Sequence, residues 1–312
     1  VFLETDPPNN NVDEQIFIIS FYHMGNAIKK ARSICVILIA VIAVFYISAC
    51  TYLWAMQTRY IFRPERTVEK TPGDIGLEFE EVFLSLPNRS NQPDTLHAWW
   101  VPAALDSGKT ILYLHGSTQN ISANVFHVRR FHKLDFSVFI ISYRGYGKSG
   151  GSFPTESQIN EDAEAAWSYL VKTRNIDPAT IIIYGHSLGG GVGIQLALNH
   201  PKAGGLIAEA TFTSIYDMAM LSEAYSLLPI SLFLHQRFDS ISKVAGLKMP
   251  VLYIHGTHDD YVPAQMGQRL YAETHSPKRL VLIPGGGHSN NAAIGGPIYL
   301  DAIQDFVNTY VR

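Results

Sequence analysis

Ile181-Ile182-Ile183-Tyr184-Gly185-His186-Ser187-Leu188-Gly189-Gly190 is the stretch from which the rest of the chain is read. Its first four residues form an unbroken apolar run, as expected of a strand buried on both faces. Gly185 to Gly189 fits the pattern G-x-S-x-G, and a helical pattern runs from Gly190 to Leu198. A serine hydroxyl held out between a strand and a helix requires a turn so tight that a Cβ on either flank collides, hence the glycines. The competing readings are a plain glycine-rich turn and a phosphate loop at a helix start. No Walker lysine follows the glycines, and G-x-G-x-x-G spacing is not met cleanly.

Outward from this stretch the patterns alternate. Phe79–Leu86 and Thr95–Val101 read as strands joined by a turn at Pro87-Asn88-Arg89-Ser90. Thr110–Leu114, Phe136–Ser142, Leu206–Ala208, Val251–Ile254 and Leu280–Ile283 read as further short strands. Helical spacing covers Ile121–Leu134, Glu156–Arg174 and Ile298–Val311. Continuous apolar strands separated by helices predict a mostly parallel central sheet with helices on both faces. Residues 211–247 interrupt the alternation with Met218, Met220, Leu221, Tyr225, Leu227 and Leu228, and read either as a small helical cap or as ordinary outer-layer helices.

Ligands in such sheets bind beyond the carboxyl ends of the strands. The polar loops after Tyr184, Ile254 and Ile283 fall there. Serine is a weak nucleophile and needs a base. The expected chain order of serine, acid and histidine selects His288, in Gly285-Gly286-Gly287-His288-Ser289-Asn290. His186 is the alternative base, but it sits beside the elbow. The acid is expected after Val251–Ile254, where His255-Gly256-Thr257-His258-Asp259-Asp260 offers two carboxylates that spacing alone does not separate. Either could instead cap the helix near Pro263. Backbone N–H groups for a developing oxyanion are expected from Leu188 and from the loop His115-Gly116-Ser117, with Ser117 as the donor.

These residues together resemble the α/β-hydrolase superfamily, and more narrowly its BEM46-like group of membrane-anchored members. The resemblance rests on Tyr113-Leu114-His115-Gly116, Ser142-Tyr143-Arg144-Gly145-Tyr146-Gly147-Lys148-Ser149-Gly150, Asp162-Ala163-Glu164-Ala165-Ala166, Tyr184–Gly190 and His255–Asp259, and covers roughly residues 75 to 312. The group's H-G-x-x-D pattern implies Asp259 rather than Asp260 as the acid. The pattern departs at Ser117, where asparagine is common after His-Gly. The resemblance implies action on esters, thioesters or lipids, without a metal or organic cofactor.

The N-terminal part reads differently. Ser33 to Met56 holds no charged residue, long enough for the roughly 20 apolar residues a bilayer-spanning helix needs. Tyr46, Tyr52 and Trp54 gather toward its end. Lys29, Lys30 and Arg32 precede it and favour a cytoplasmic N-terminus, a bias weakened by Arg59, Arg63 and Arg66. Alternatives are a buried core helix and a bacterial lipoprotein signal ending at Ile47-Ser48-Ala49-Cys50, although the sequence beyond Cys50 stays apolar. Gln15–Tyr22 is apolar but too short to span. The expected organisation is an N-terminal segment 1–32, a transmembrane anchor 33–56, a linker 57–74 and a catalytic domain 75–312.

Composition fits this picture. Of 312 residues 47% are hydrophobic and 16% charged, with a net charge of −3, which gives no basic excess for nucleic acid. Cys35 and Cys50 both lie in the apolar stretch, so no disulfide or cysteine-zinc site is expected elsewhere. The expected partners are a small-molecule or lipid ester and, through the N-terminal helix, a membrane. Rival readings are a catalytically silent membrane-bound scaffold and a peptidase or acyltransferase using the same three side chains.

Overall fold

A computed structural model of the chain describes residues 10–86, 94–105 and 108–311. The expected turn at Pro87–Ser90 lies outside the described residues, as do the first four residues of Asp6-Pro7-Pro8-Asn9-Asn10-Asn11, a loop signal whose last two residues are helical instead. The chain divides into two compact units, residues 1–55 and 56–312.

One long helix, α1, runs Asn10–Ile61. It extends well past the expected 33–56 at both ends and takes in the short apolar run Gln15–Tyr22. Nothing in the sequence between them breaks a helix: there is no proline, and the lone glycine is Gly25. Its apolar window has a mean hydropathy of 2.7 and none of it is buried. A helix that is apolar all round and uncovered by protein suits a lipid environment better than water.

The second unit is built on an eight-stranded sheet. Its strands are β1 Glu80–Ser85, β2 Thr95–Val101, β3 Thr110–Leu114, β4 Ser137–Ile141, β5 Ile181–His186, β6 Gly205–Glu209, β7 Val251–Gly256 and β8 Lys278–Ile283. Their spatial order is 8-7-6-5-3-4-2-1. Only β2 runs against its neighbours; every pair from β4 to β8 is parallel. The two-residue period of the strands divides the core. Ile181 and Ile183 join one apolar cluster and Ile182 and Tyr184 the other, so β5 is buried on both faces. Helices α3 (Glu156–Ser168), α4 (Leu188–Asn199) and α8 (Ala264–Glu273) pack on one face. Helices α2 (Val125–Lys133) and α10 (Pro297–Tyr310) pack on the other. This is the α/β-hydrolase fold.

Two expected helices change character along their length. Ile121–Asn124 is a 3-10 turn capped by the Asn120 side chain, and α2 starts only at Val125. Helix α3 begins at a Thr155–Gln158 capping box, ends at Ser168 and continues as a π turn, Tyr169–Thr173. The region after β6 forms three short helices, α5 Ile215–Ala219, α6 Glu223–Ser226 and α7 Ile230–Phe233. Leu227 and Leu232 of this helical region are exposed. The Gln57 side chain secures it, donating to the Phe233 carbonyl (2.9 Å) and accepting from the amides of His235 and Gln236.

The stretch 57–74 does more than link. Arg63–Pro64 pairs in parallel with Thr118–Gln119, placing Arg63 opposite Thr118. Two stretches singled out by the resemblance also meet. The Arg144 amide and Nε donate to the two Asp162 oxygens at 2.8 and 2.6 Å, and the Arg144 guanidinium also reaches the Gln158 carbonyl. This pair ties the loop after β4 to α3.

The turn between β5 and α4 is the tightest place in the sheet. A Cβ at Gly185 would collide with the Gly189 backbone, and one at Gly189 with the carbonyls of Leu114 and His115. Gly191, two residues on, would place a Cβ in ordinary contact, 3.4 Å from Ser240 Oγ. Gly189→Ala is therefore expected to cost about 2 kcal/mol or more in urea unfolding. Gly191→Ala should stay within about 1 kcal/mol of the parent, because helix propensity offsets the tighter fit. Equal costs at the two positions would show that this crossing is looser than described.

Candidate active site

Ser187 sits at the tip of that turn with φ +54° and ψ −119°. Such a conformation costs a non-glycine residue about 1–3 kcal/mol and persists only where its surroundings enforce it. Here the Ser187 amide donates to the Glu209 carbonyl at 2.9 Å, and Thr211 Oγ1 donates to the Ser187 carbonyl at 2.8 Å. The side chain projects from the carboxyl edge of the sheet.

His288 arrives from the loop after β8. Its Nε2 lies 3.0 Å from Ser187 Oγ, and its Nδ1 lies 2.8 Å from Asp259 Oδ2. Asp259 arrives from the loop after β7, and its other oxygen accepts from the amides of Tyr261 (3.0 Å) and Val262 (2.8 Å). Burial alone would raise the Asp259 pKa. Hydrogen bonds from His255, His288 and the Val262 amide outweigh it and hold the carboxyl below the ordinary aspartate range. Asp260 is exposed, away from this row.

The two loops are knitted to each other. The Thr257 amide donates to the Ile283 carbonyl, His258 to Gly286, and Gly285 to Thr257 Oγ1. A Cβ at Gly256 would strike the Gly286 backbone. Asn290 Oδ1 accepts from the Gly287 amide at 2.7 Å and shapes the chain just before His288. His186 does not face the serine hydroxyl. Its Nε2 bonds the His288 carbonyl at 2.8 Å, so it supports the histidine loop. Tyr261 lies edge-on to the His288 ring, centroids 5.0 Å apart.

Ser117 follows β3 in the 115–117 loop, and Leu188 directly follows Ser187. Leu188 is the first residue of α4, so its N–H has no intrahelical acceptor. Ser117 lines the same cavity as Ser187 and His288. Its carbonyl is taken by the Arg63 amide (2.9 Å) and the Tyr146 hydroxyl (2.7 Å), while the Tyr143 hydroxyl donates to the His115 carbonyl. Two tyrosines of the loop after β4 thus pin the carbonyl side of the 115–117 loop. Gly116 is close enough that a Cβ there would stand 3.5 Å from Ser187 Cβ.

Sequence reasoning missed the group beneath the row. Glu209, fully buried at the end of β6, accepts from Tyr184 Oη and Tyr299 Oη at 2.6 Å each and from Asn291 Nδ2 at 3.2 Å. Burial pushes its pKa up, but His186, His127 and the two hydroxyls overcome this and leave it lowered. The signal was present: one carboxylate closing the apolar run Leu206-Ile207-Ala208. Glu209 pairs in register with His186, next to the Ser187 turn.

Comparison with known proteins adds to the geometry. A family profile described as serine aminopeptidase, S33, matches residues 106–241. The chain is 32% identical to the α/β-hydrolase domain-containing protein WAV2 of Arabidopsis thaliana over 286 residues, covering 85% of this chain and 91% of that one. It is 33% identical to the protein bem46 of Schizosaccharomyces pombe over 243 residues, covering 76% and 79%. Among solved structures it is similar to an esterase of Pyrococcus furiosus, with a TM-score of 0.66 at 19% identity over 81% of this chain and 98% of that one.

The lowered Asp259 pKa fixes a sign. A carboxyl whose folded pKa lies below its unfolded value of about 3.9 adds stability that is present above that pH and is lost as pH falls further. Asp259→Asn should therefore be less stable than the parent at pH 7, by a margin that begins to shrink below about pH 4. Asp260→Asn, at an exposed side chain, should stay within about 0.5 kcal/mol of the parent at pH 7. Chemical unfolding across pH 3–7 measures both, and a margin for Asp259→Asn that is constant with pH would contradict the assignment.

Proposed function

We propose a function from one premise: this chain belongs to the α/β-hydrolase superfamily, in the group that holds the bem46 and WAV2 proteins. Within that family we read it as a serine hydrolase that cleaves carboxylic ester or thioester bonds. The observation that carries the reading is the unbroken row from Ser187 Oγ through the His288 ring to Asp259, at 3.0 and 2.8 Å.

In this mechanism His288 Nε2 accepts the Ser187 proton as Oγ attacks the substrate carbonyl. Asp259 holds Nδ1–H, which leaves Nε2 free to accept, and its negative charge steadies the imidazolium that forms. The amides of Ser117 and Leu188 receive the developing oxyanion. Losing one such donor typically costs about 100-fold or more in turnover. Collapse of the intermediate expels the alcohol or thiol, protonated by His288. Water, deprotonated by the same ring, then attacks the acyl-enzyme and releases the acid. No metal or organic cofactor enters this scheme.

The long apolar helix supports a further reading, that residues 33–56 anchor the protein in a membrane. The basic cluster Lys29, Lys30 and Arg32 favours a cytoplasmic N-terminus. A catalytically silent scaffold would have no reason to keep a strained serine aligned with His288 and the buried Asp259, because that strain costs folding energy.

A fluorophosphonate probe, which phosphonylates only an activated serine, tests the reading directly. The full-length protein in detergent should label, and Ser187→Ala should not, while both retain the same far-ultraviolet circular dichroism. Equal labelling of the two proteins, or none of a folded parent, would end the proposal.

A further inference from the structure

We propose that Arg63 makes the cavity beside Ser187 selective for an ester that carries a carboxylate or phosphate group near the scissile bond. This rests on the serine-hydrolase reading above and adds a substrate class to it.

The cavity holds about 300 Å³, at the small end of the range for small-molecule sites. Besides Ser187 and His288 its wall includes Arg63, Ser117, Gln119, Asn124, His127 and Ser289. Such a wall offers little to a long acyl chain, whose binding grows by about 0.8 kcal/mol for each methylene only where it meets apolar surface. No aspartate or glutamate is among the described residues lining it, and Arg63 is the one lysine or arginine among them. Burial pushes the His127 imidazole down to about 4 and lowers that of His186, which keeps these two rings neutral at pH 7. Arg63 is the permanent positive charge among the described lining residues.

The arginine is held by its backbone and left free at its head. Its amide donates to the Ser117 carbonyl, and Arg63 pairs with Thr118, so its Cα is fixed against the loop expected to supply an oxyanion donor. Among the described residues its guanidinium has no hydrogen bond, ion pair or ring partner. Its neighbours contrast with it. Arg66 spends its guanidinium on the carbonyls of Ser149 and Gly151, and Arg144 spends its own on Asp162, Glu161 and Gln158. An unspent planar fork at the edge of a polar cavity without carboxylates suits bidentate recognition of a carboxylate or phosphate. His127, whose Nδ1 is buried without a partner among the described residues, adds a neutral hydrogen-bonding group on the same wall. The anionic group takes no part in the reaction: water and the ester give the acid and the alcohol, and its charge is carried through unchanged.

Two pairs of soluble esters test this with the full-length protein in detergent at low salt. One pair is nitrophenyl hemisuccinate and nitrophenyl butyrate, which differ in acyl charge. The other is the acetate of a carboxylated nitrophenol and nitrophenyl acetate, which differ in leaving-group charge. The expected result is a higher kcat/KM for the anionic member of at least one pair. That ratio should fall about tenfold or more in Arg63→Gln and be partly kept in Arg63→Lys, which retains charge but loses the fork. Vesicles of phosphatidylglycerol and phosphatidylcholine form a third pair. An Arg63-dependent preference confined to the vesicles places the anion on a lipid headgroup, and one seen with the soluble esters places it on a free molecule.

Titration of inorganic phosphate into Ser187→Ala, with and without Arg63→Gln, reads the anion site without turnover. Binding should weaken about tenfold without Arg63. No anionic preference in any pair, a preference that survives Arg63→Gln, or phosphate binding indifferent to Arg63 would overturn the proposal. If the folded parent cleaves neither charged nor neutral esters, the serine-hydrolase reading fails, and the phosphate titration still decides whether Arg63 holds an anion.

Discussion

A serine forced into a left-handed backbone conformation between a buried strand and a helix is the constraint on which the rest of the site depends. Ser187 keeps φ +54° only because β5, β3 and β6 close around it. Gly189 presses on the Leu114 and His115 carbonyls, Gly190 on Thr211, and the Ser187 amide is held by Glu209. Each contact comes from a different strand or loop. The position of Ser187 is thus a property of the whole parallel sheet.

The same economy runs through the supporting groups. The polar side chains near the row mostly meet backbone carbonyls and amides, so they fix loops rather than touch a substrate. Tyr143 and Tyr146 fix the 115–117 loop, His186 fixes the loop of His288, and the Asp259 carboxylate closes its own turn on Tyr261 and Val262. Beneath them Glu209 gathers Tyr184, Tyr299 and Asn291, linking β5 to α9 (Asn291–Gly295) and α10. Removing one partner would leave a buried hydroxyl or charge unsatisfied, at about 1–3 kcal/mol for each group. A hydrogen-bonded row held to a few tenths of an ångström needs this kind of redundancy.

Much of this was legible in the residues because local chemistry announced it. G-x-S-x-G is readable since only glycine tolerates the contacts at 185 and 189, and the eight strands are readable from short apolar runs. The choice between Asp259 and Asp260 was not readable from spacing. It depends on which carboxylate the turn buries, a matter of three-dimensional closure. The anchor read at 33–56 lies inside a longer helix, because polar residues such as Lys29 and Arg32 end a hydrophobic pattern without ending a helix. Arg63 reads in the sequence as a membrane-flanking charge, and only its pairing with Thr118 places it on the cavity wall. Glu209 escaped notice because a buried charge is recognisable only by its partners, which lie 25 to 90 residues away in sequence.

The claim that hydroxyl and imidazole act as one unit is tested most directly by a double-substitution cycle on ester hydrolysis. Groups that act together lose nearly all of their joint effect when either is removed. Ser187→Ala, His288→Ala and the double variant should therefore fall to about the same residual kcat, several orders of magnitude below the parent. Losses from the two single substitutions that multiply in the double variant would mean that the two side chains work independently, and would contradict a shared Ser187–His288 proton transfer.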